Sequence, residues 1–284
     1  MSDEHVTESK SSRRRRIVAF VAVSMLLVGA WALVVSWPQI SFWIRFREDF
    51  ESLGRNAQGL EEYLHRSSGI RMVFLPAGSF VRGSPASESG SYFDEQPQRR
   101  VRVSSFLIAK YEVSQAEWRA TAGDKFFFRA SDEDPAKGLS WTEAVEFCEA
   151  AGLALPREAE WEYACRCGTS TPYHVGSSLQ PAQSRFGGGT GFDPTESGTP
   201  NAFGLHNMHG NVDEWCQDSY VEDFYAQCAD GETDPVCSAR VDARVARGGS
   251  IYAQMEDCRS AKRNSLPFAT ASESTGLRPV FRLR

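Results

Sequence analysis

The spacing of apolar and polar residues divides this chain into segments of different period. Ile17 to Trp37 (IVAFVAVSMLLVGAWALVVSW) carries no charge. Its 21 residues, at about 1.5 Å each, reach about 31 Å, the thickness of a bilayer core, so the segment reads as one transmembrane helix. After it, Phe50, Leu53, Ala57, Leu60 and Leu64 step by three and four residues, which predicts an amphipathic juxtamembrane helix or linker within 38–69, weakened by Gly54 and Gly59. Beyond Gly69 the period shortens. Arg71 to Phe80 reads as a short apolar strand broken by a Pro-Ala-Gly turn, and Arg100 to Tyr111 opens with strict alternation, the mark of a half-buried strand. Ser114 with Glu117, and Ser140 with Glu143, form two capping boxes that start helices. In the second, Trp141, Ala144, Val145 and Cys148 share a face and Gly152 suits a left-handed cap. Leu155 to Cys165 predicts a third short helix, entered at Pro156. From Arg166 to Asp242 the period fades into Gly, Ser, Thr, Asn and Pro, so much of the domain is expected to be irregular loop.

Charge fixes the orientation. Arg13 to Arg16 flank the apolar segment on its N-terminal side, which keeps the tail 1–16 in the cytoplasm and directs the remainder to the periplasm or the cell exterior. The net charge of -6 and pI near 5.5 exclude a nucleic-acid surface. With 41% hydrophobic and 12% aromatic residues, the chain can bury a sizeable core. Seven cysteines on an outward-facing domain suggest disulfides, and Cys228 with Cys237 in a polar segment is the simplest pair to propose, although an odd count leaves one over. Cys165-Arg-Cys167 is too tightly spaced for a CxxC metal or redox motif.

Reactive side chains gather in Arg247 to Asn264, RGGSIYAQMEDCRSAKRN. The Gly-Gly pair permits a backbone turn at positive φ, and Ser250, Cys258, Arg259 and Arg263 follow it. Together with MVFLPAGSFVRGSP, DEQPQRRVRVSSFLIAKYEVSQAEW, GLSWTEAVEFC, LPREAEWEYACRCGT, NAFGLHNMHGNVDEWCQDSY and TGLRPVFR, this stretch resembles the formylglycine-generating enzyme, or sulfatase-modifying-factor, family over about Ile70 to Arg284. The resemblance implies one α+β, loop-rich, C-type-lectin-like domain over 70–284. It also implies a chemistry, the oxidation of a sulfatase cysteine to formylglycine by Cu(I) held between two thiolates in Gly-Gly-Ser-x-x-Cys-x4-Cys. Soft thiolates select Cu(I), which accounts for the cysteine pair.

This chain departs from that pattern. The first thiol position is Ala253, and counting back from Arg259 and Arg263 places Cys258 directly before the family's first Arg rather than at the second thiol. Copper is therefore not expected, and Ser250 and Cys258 remain as candidate catalytic residues of an incomplete site. Asp213 stands in GNVDEW where the family has an aromatic, so Asp213, Arg259 and Arg263 are candidates to line a binding cleft. The same loop resembles a calcium site through Asn211, Val212 and Glu214; the alternative is that Asn211 caps a turn and Glu214 pairs with an arginine. Arg157, where the family has a capping Thr, predicts a helix start weaker by about 1 kcal/mol. The expectation is a membrane-anchored domain without formylglycine-generating activity, binding a protein or peptide partner as an accessory. The alternative is a copper- and oxygen-dependent oxidoreductase, or another oxidative branch of the family.

Overall fold

The computed structural model describes residues 43, 46–127, 131–188 and 191–283. The predicted transmembrane segment 17–37 and the basic tail lie outside the described residues. No helix among the described residues is long and apolar enough to cross a membrane. Contacts divide the chain after Asp49, and the fold below is that of the unit beginning at Phe50.

In chain order the elements are β1 (Phe50–Arg55), β2 (Glu61–His65), β3 (Arg71–Leu75), β4 (Gly78–Arg82), β5 (Arg99–Val103), β6 (Phe106–Ala109), α1 (Gln115–Ala122), α2 (Trp141–Ala151), α3 (Glu158–Arg166), β7 (Asp213–Ser219), α4 (Phe224–Gln227), β8 (Glu232–Thr233), β9 (Ala243–Arg247), β10 (Asn264–Pro267), β11 (Thr275–Gly276) and β12 (Val280–Arg282). They form three sheets, ordered β1-β2-β3-β6-β12, β10-β9-β7-β11 and β4-β5-β8. The architecture is α+β with long irregular connections.

The strands around the Pro-Ala-Gly turn and both capping boxes occur at the expected positions. Ser114 and Ser140 each accept from the N–H three residues on, while Glu117 and Glu143 reach back. Gly152 adopts φ 70° and closes α2. The start of α3 uses a device absent from its local sequence. Arg157 offers no acceptor, and the Asp218 carboxylate on β7 accepts from the Glu158 N–H at 2.8 Å instead.

The helix expected within 38–69 is corrected. Among the described residues there only 43 and 46–49 are helical, and Phe50 to His65 forms the antiparallel hairpin β1–β2. Gly54 and Gly59 take φ +83° and +84°, which a helix does not accommodate, and β2 completes the outer edge of β3. The Phe50 ring packs on Phe281 of β12 at 4.8 Å, which ties the hairpin to the same sheet. The domain thus starts ahead of residue 70.

The expected disulfides are also corrected, because all seven cysteines are free. Cys148, Cys165 and Cys216 are buried on α2, α3 and β7, where they pack as small apolar groups. Cys228 is engaged by Arg82 at 3.0 Å rather than by Cys237. The core joins Val73, Leu75, Val101, Phe106 and Ile108 of the sheets to Trp161 and Ala164 of α3.

Candidate functional site

Strand β9 delivers the chain to Gly248 and Gly249, at φ +98° and +73°. A Cβ on Gly249 would lie 2.8 Å from Cys258 Sγ and 3.0 Å from Asp257 O, so only glycine fits where the turn folds over the following segment. Main-chain bonds hold this turn against the GNVDEW loop. The Gly210 N–H donates to Gly248 O at 2.8 Å, and the Ile251 N–H donates to Asn211 O at 3.0 Å. Those bonds fix Asp213, the first residue of β7, beside Ser250.

An open cavity of about 400 Å³ lies there, with Asp213, Ser250, Tyr252, Ala253, Lys262 and Asn264 among its lining residues. Asn264 Nδ2 donates to Asp213 Oδ1 at 2.7 Å, and β10 presents Asn264. Burial pushes the Asp213 carboxyl up to about 6, against the pull of hydrogen bonds from Asn264, the Gly249 N–H and the Ser250 hydroxyl. At neutral pH the pocket floor therefore carries a largely ionised but easily protonated carboxylate. Tyr252 stands exposed on the rim, edge-on to Phe192 at 6.3 Å. Lys262 lies 3.5 Å from the centre of the Tyr92 ring and 3.8 Å from Asp257. Carboxylate, amide and hydroxyls on the walls with an aromatic rim can bind a polar chain segment.

Cys258 does not belong to this polar wall. It is fully buried in a small apolar cluster with Tyr173 and Leu179, against which Ala253 and Met255 pack. Burial drives its thiol far up, and the carboxylates of Asp213, Asp257 and Glu256 push in the same direction. The Ala253 Cβ and the Cys258 Sγ lie 3.3 and 2.8 Å from one point, the place of a Cβ on Gly249. A methyl group therefore lies beside the Cys258 thiol where the family pattern has a thiol. A copper ion held by two thiolates does not fit these residues. Among the described residues no group of three or more His, Cys, Asp and Glu is placed to hold a metal ion.

Arg259 and Arg263, expected along the cleft, point the other way. Arg259 is buried and forks onto Glu95 and Glu88 at 2.7 Å each. Arg263 is buried with Nε 2.8 Å from Glu158 Oε1. Both are held in the scaffold beneath the turn. At the candidate calcium loop, Glu214 is clamped by Arg278, whose Nη2 lies 2.7 Å from Oε1, and accepts from Trp161 Nε1 at 2.6 Å. The Asn211 amide donates to Glu112 Oε2 at 3.0 Å and accepts from the Asp193 N–H at 3.0 Å, while the Val212 N–H faces Glu112 at 3.4 Å. A guanidinium thus already occupies the carboxylate that calcium would need. Burial lifts the Glu112 carboxyl to about 8. His209 is buried and neutral, donating from Nδ1 to Cys258 O at 2.7 Å and accepting from the His174 N–H at 3.1 Å, which makes it a brace for the Cys258 segment.

Reading from sequence overlooked Asn264, Lys262 and Tyr252 on the pocket and Glu112 beneath it. Asn264 and Lys262 lay in the stretch already singled out, and their proximity to Arg263 obscured them. Glu112 had no local signal, since its hydrogen-bond partners come from 207–212.

Residues 58–283 match the family described as sulfatase-modifying factor enzyme 1-like domain. The chain is 28% identical over 279 residues to the formylglycine-generating enzyme of Thermomonospora curvata, covering 73% of this chain and 92% of that one. It is also 30% identical over 221 residues to the serine/threonine-protein kinase pkn1 of Chlamydia caviae, covering 68% of this chain but only 35% of the kinase, so it spans about a third of that protein's length. Among solved structures, PvdO from Pseudomonas aeruginosa superposes with a TM-score of 0.67 at 25% identity, covering 82% of this chain and 98% of PvdO. By sequence match over most of its length, and with the loop-rich α+β fold to accompany it, the chain belongs to the family of sulfatase-modifying factor enzyme 1-like domains.

Proposed function

We propose that this chain is a membrane-anchored member of the family that binds a protein or peptide segment as an accessory and does not convert cysteine to formylglycine. Residues 17–37 would anchor it, with the arginines at 13–16 keeping the tail cytoplasmic and the domain periplasmic or extracellular. The bound segment would lie over the pocket, with polar groups against Asp213, Ser250 and Asn264 and a side chain on Tyr252.

One observation carries this reading, the Ala253 methyl beside the buried Cys258 thiol. The oxidative chemistry of the family needs a pair of soft ligands that approach one metal, and a methyl group offers none. Cys258 also stays protonated at neutral pH, because burial and three nearby carboxylates oppose the thiolate. Gly249, Asn264 and the bonds from the Gly-Gly turn to the GNVDEW loop support the pocket walls.

Titration of the reduced full-length chain with Cu(I), against a competing chelator, tests the reading. The expected result is no stoichiometric tight binding. Tight binding of one Cu(I) per chain that disappears in Cys258→Ser would overturn it.

A further inference from the structure

Among the described residues six arginines are buried, and five of them form an ion pair with a carboxylate. Arg166 and Arg247 meet Glu162 at 2.8 and 2.7 Å, Arg259 meets Glu95 at 2.7 Å, Arg263 meets Glu158 at 2.8 Å and Arg278 meets Glu214 at 2.7 Å. Arg82, at the end of β4, is the exception. It is 0% exposed and forms no ion pair among the described residues, although the Glu158 carboxylate is near enough to favour its charge. Its guanidinium stacks 3.9 Å from the centre of the Tyr225 ring, and Nη2 donates to Cys228 Sγ at 3.0 Å. Nε and Nη1 have no hydrogen-bond partner. A buried cation with two idle donors beside a sulfur can take a further acceptor formed on that sulfur.

We propose that Cys228 is an oxidation site, at which a peroxide converts the thiol to a sulfenic acid whose oxygen is held by Arg82. In the step, Cys228 loses its proton beside Arg82, its thiolate sulfur attacks one oxygen of hydrogen peroxide and the O–O bond breaks. Sulfur loses two electrons and keeps that oxygen, while the other leaves as hydroxide and takes the thiol proton to become water. The new oxygen accepts from the guanidinium, a charge-assisted bond stronger than the N–H to thiol contact it replaces. Cys228 caps the four-residue helix α4, is 6% exposed, and precedes the exposed residues Ala229 and Asp230. Its S–H donates to Phe224 O at 3.3 Å, which leaves sulfur lone pairs for the attack.

Cys167 supplies the internal control. It is more exposed than Cys228, at the C-terminal end of α3, and no arginine is hydrogen-bonded to its sulfur. If exposure alone governs oxidation, Cys167 reacts first; if Arg82 governs it, Cys228 does.

The test treats the reduced full-length chain with graded hydrogen peroxide in the presence of dimedone and maps the adducts by peptide mass. The expected result is an adduct at Cys228 at lower peroxide than at Cys167, with the Cys228 adduct falling several-fold in Arg82→Met while Cys167 is unchanged. Oxidation of Cys167 first, an unmodified Cys228, recovery of Cys228 as a disulfide, or an unchanged yield in Arg82→Met overturns the proposal. Cys228→Asp provides a second measurement independent of the folding of the Arg82 variant, since it supplies a further acceptor permanently. Its Tm is expected to rise by about 2–4 °C. An unchanged or lower Tm counts against the proposal.

Discussion

The stretch from Arg247 to Asn264 serves two regions with opposite electrostatics. On its inner side Arg247, Arg259 and Arg263 are buried, each within 2.7–2.8 Å of a carboxylate. On its outer side Ser250, Tyr252, Asp257, Lys262 and Asn264 surround a pocket in which the Asp213 carboxylate meets hydrogen-bond donors but no guanidinium. Both regions desolvate carboxyl groups, the inner one completely and the pocket in part. Inside, arginine keeps Glu158 ionised, pulling its carboxyl below the usual range despite complete burial. In the pocket no cation does so, and Asp213 rises to about 6. Glu158 on the inner side is thus fixed in charge and serves stability, whereas Asp213 can change charge near physiological pH and remains available to a ligand.

Four substitutions would break or sharpen that contrast. Arg247→Ala leaves Glu162 and Glu158 short of a buried cation and is expected to cost about 3–5 kcal/mol, read as a lower midpoint in urea unfolding. Gly249→Ala strains the turn at φ +73° and presses a methyl on Cys258 and Asp257, so thermal unfolding should show a loss of about 2–3 kcal/mol. Asp213→Asn works in the other direction. A carboxyl raised from 3.8 to about 6 binds its proton more tightly in the folded state, so stability falls as pH rises from about 4 to 6 and stays lower above. Removing the titration should therefore raise stability by about 2 kcal/mol at pH 7.5, with the gain vanishing by pH 4 in parallel thermal melts. A gain of equal size at both pH values would contradict the assignment. Tyr252→Ala, on the exposed rim, should change stability by less than about 0.5 kcal/mol.

Much of the fold was legible where local chemistry decides it. Ser114-Glu117 and Ser140-Glu143 specify their helix starts within four residues, and the alternation after Arg100 specifies β5. The hairpin at 50–65 was not legible, because the three-and-four spacing of its apolar residues imitates a helix and the deciding partner, β3, comes later in the chain. Arg157 illustrates the same limit, since its helix is capped by Asp218, sixty residues on. At the site, Ser250 and Asp213 were identifiable from the glycine turn and the altered GNVDEW loop. The directions of Arg259 and Arg263 were not, because only the fold brings Glu88, Glu95 and Glu158 beneath the turn. Charge alone in a sequence does not distinguish an arginine awaiting a ligand from one already paired.

The central claim is that the pocket survives without the oxidative chemistry of its family. Incubation of the full-length chain with a Cys-x-Pro-x-Arg peptide, Cu(I), a thiol reductant and air, followed by peptide mass, tests it most directly. The account predicts that the peptide cysteine keeps its mass, and a mass loss at that cysteine dependent on Cys258 would contradict it.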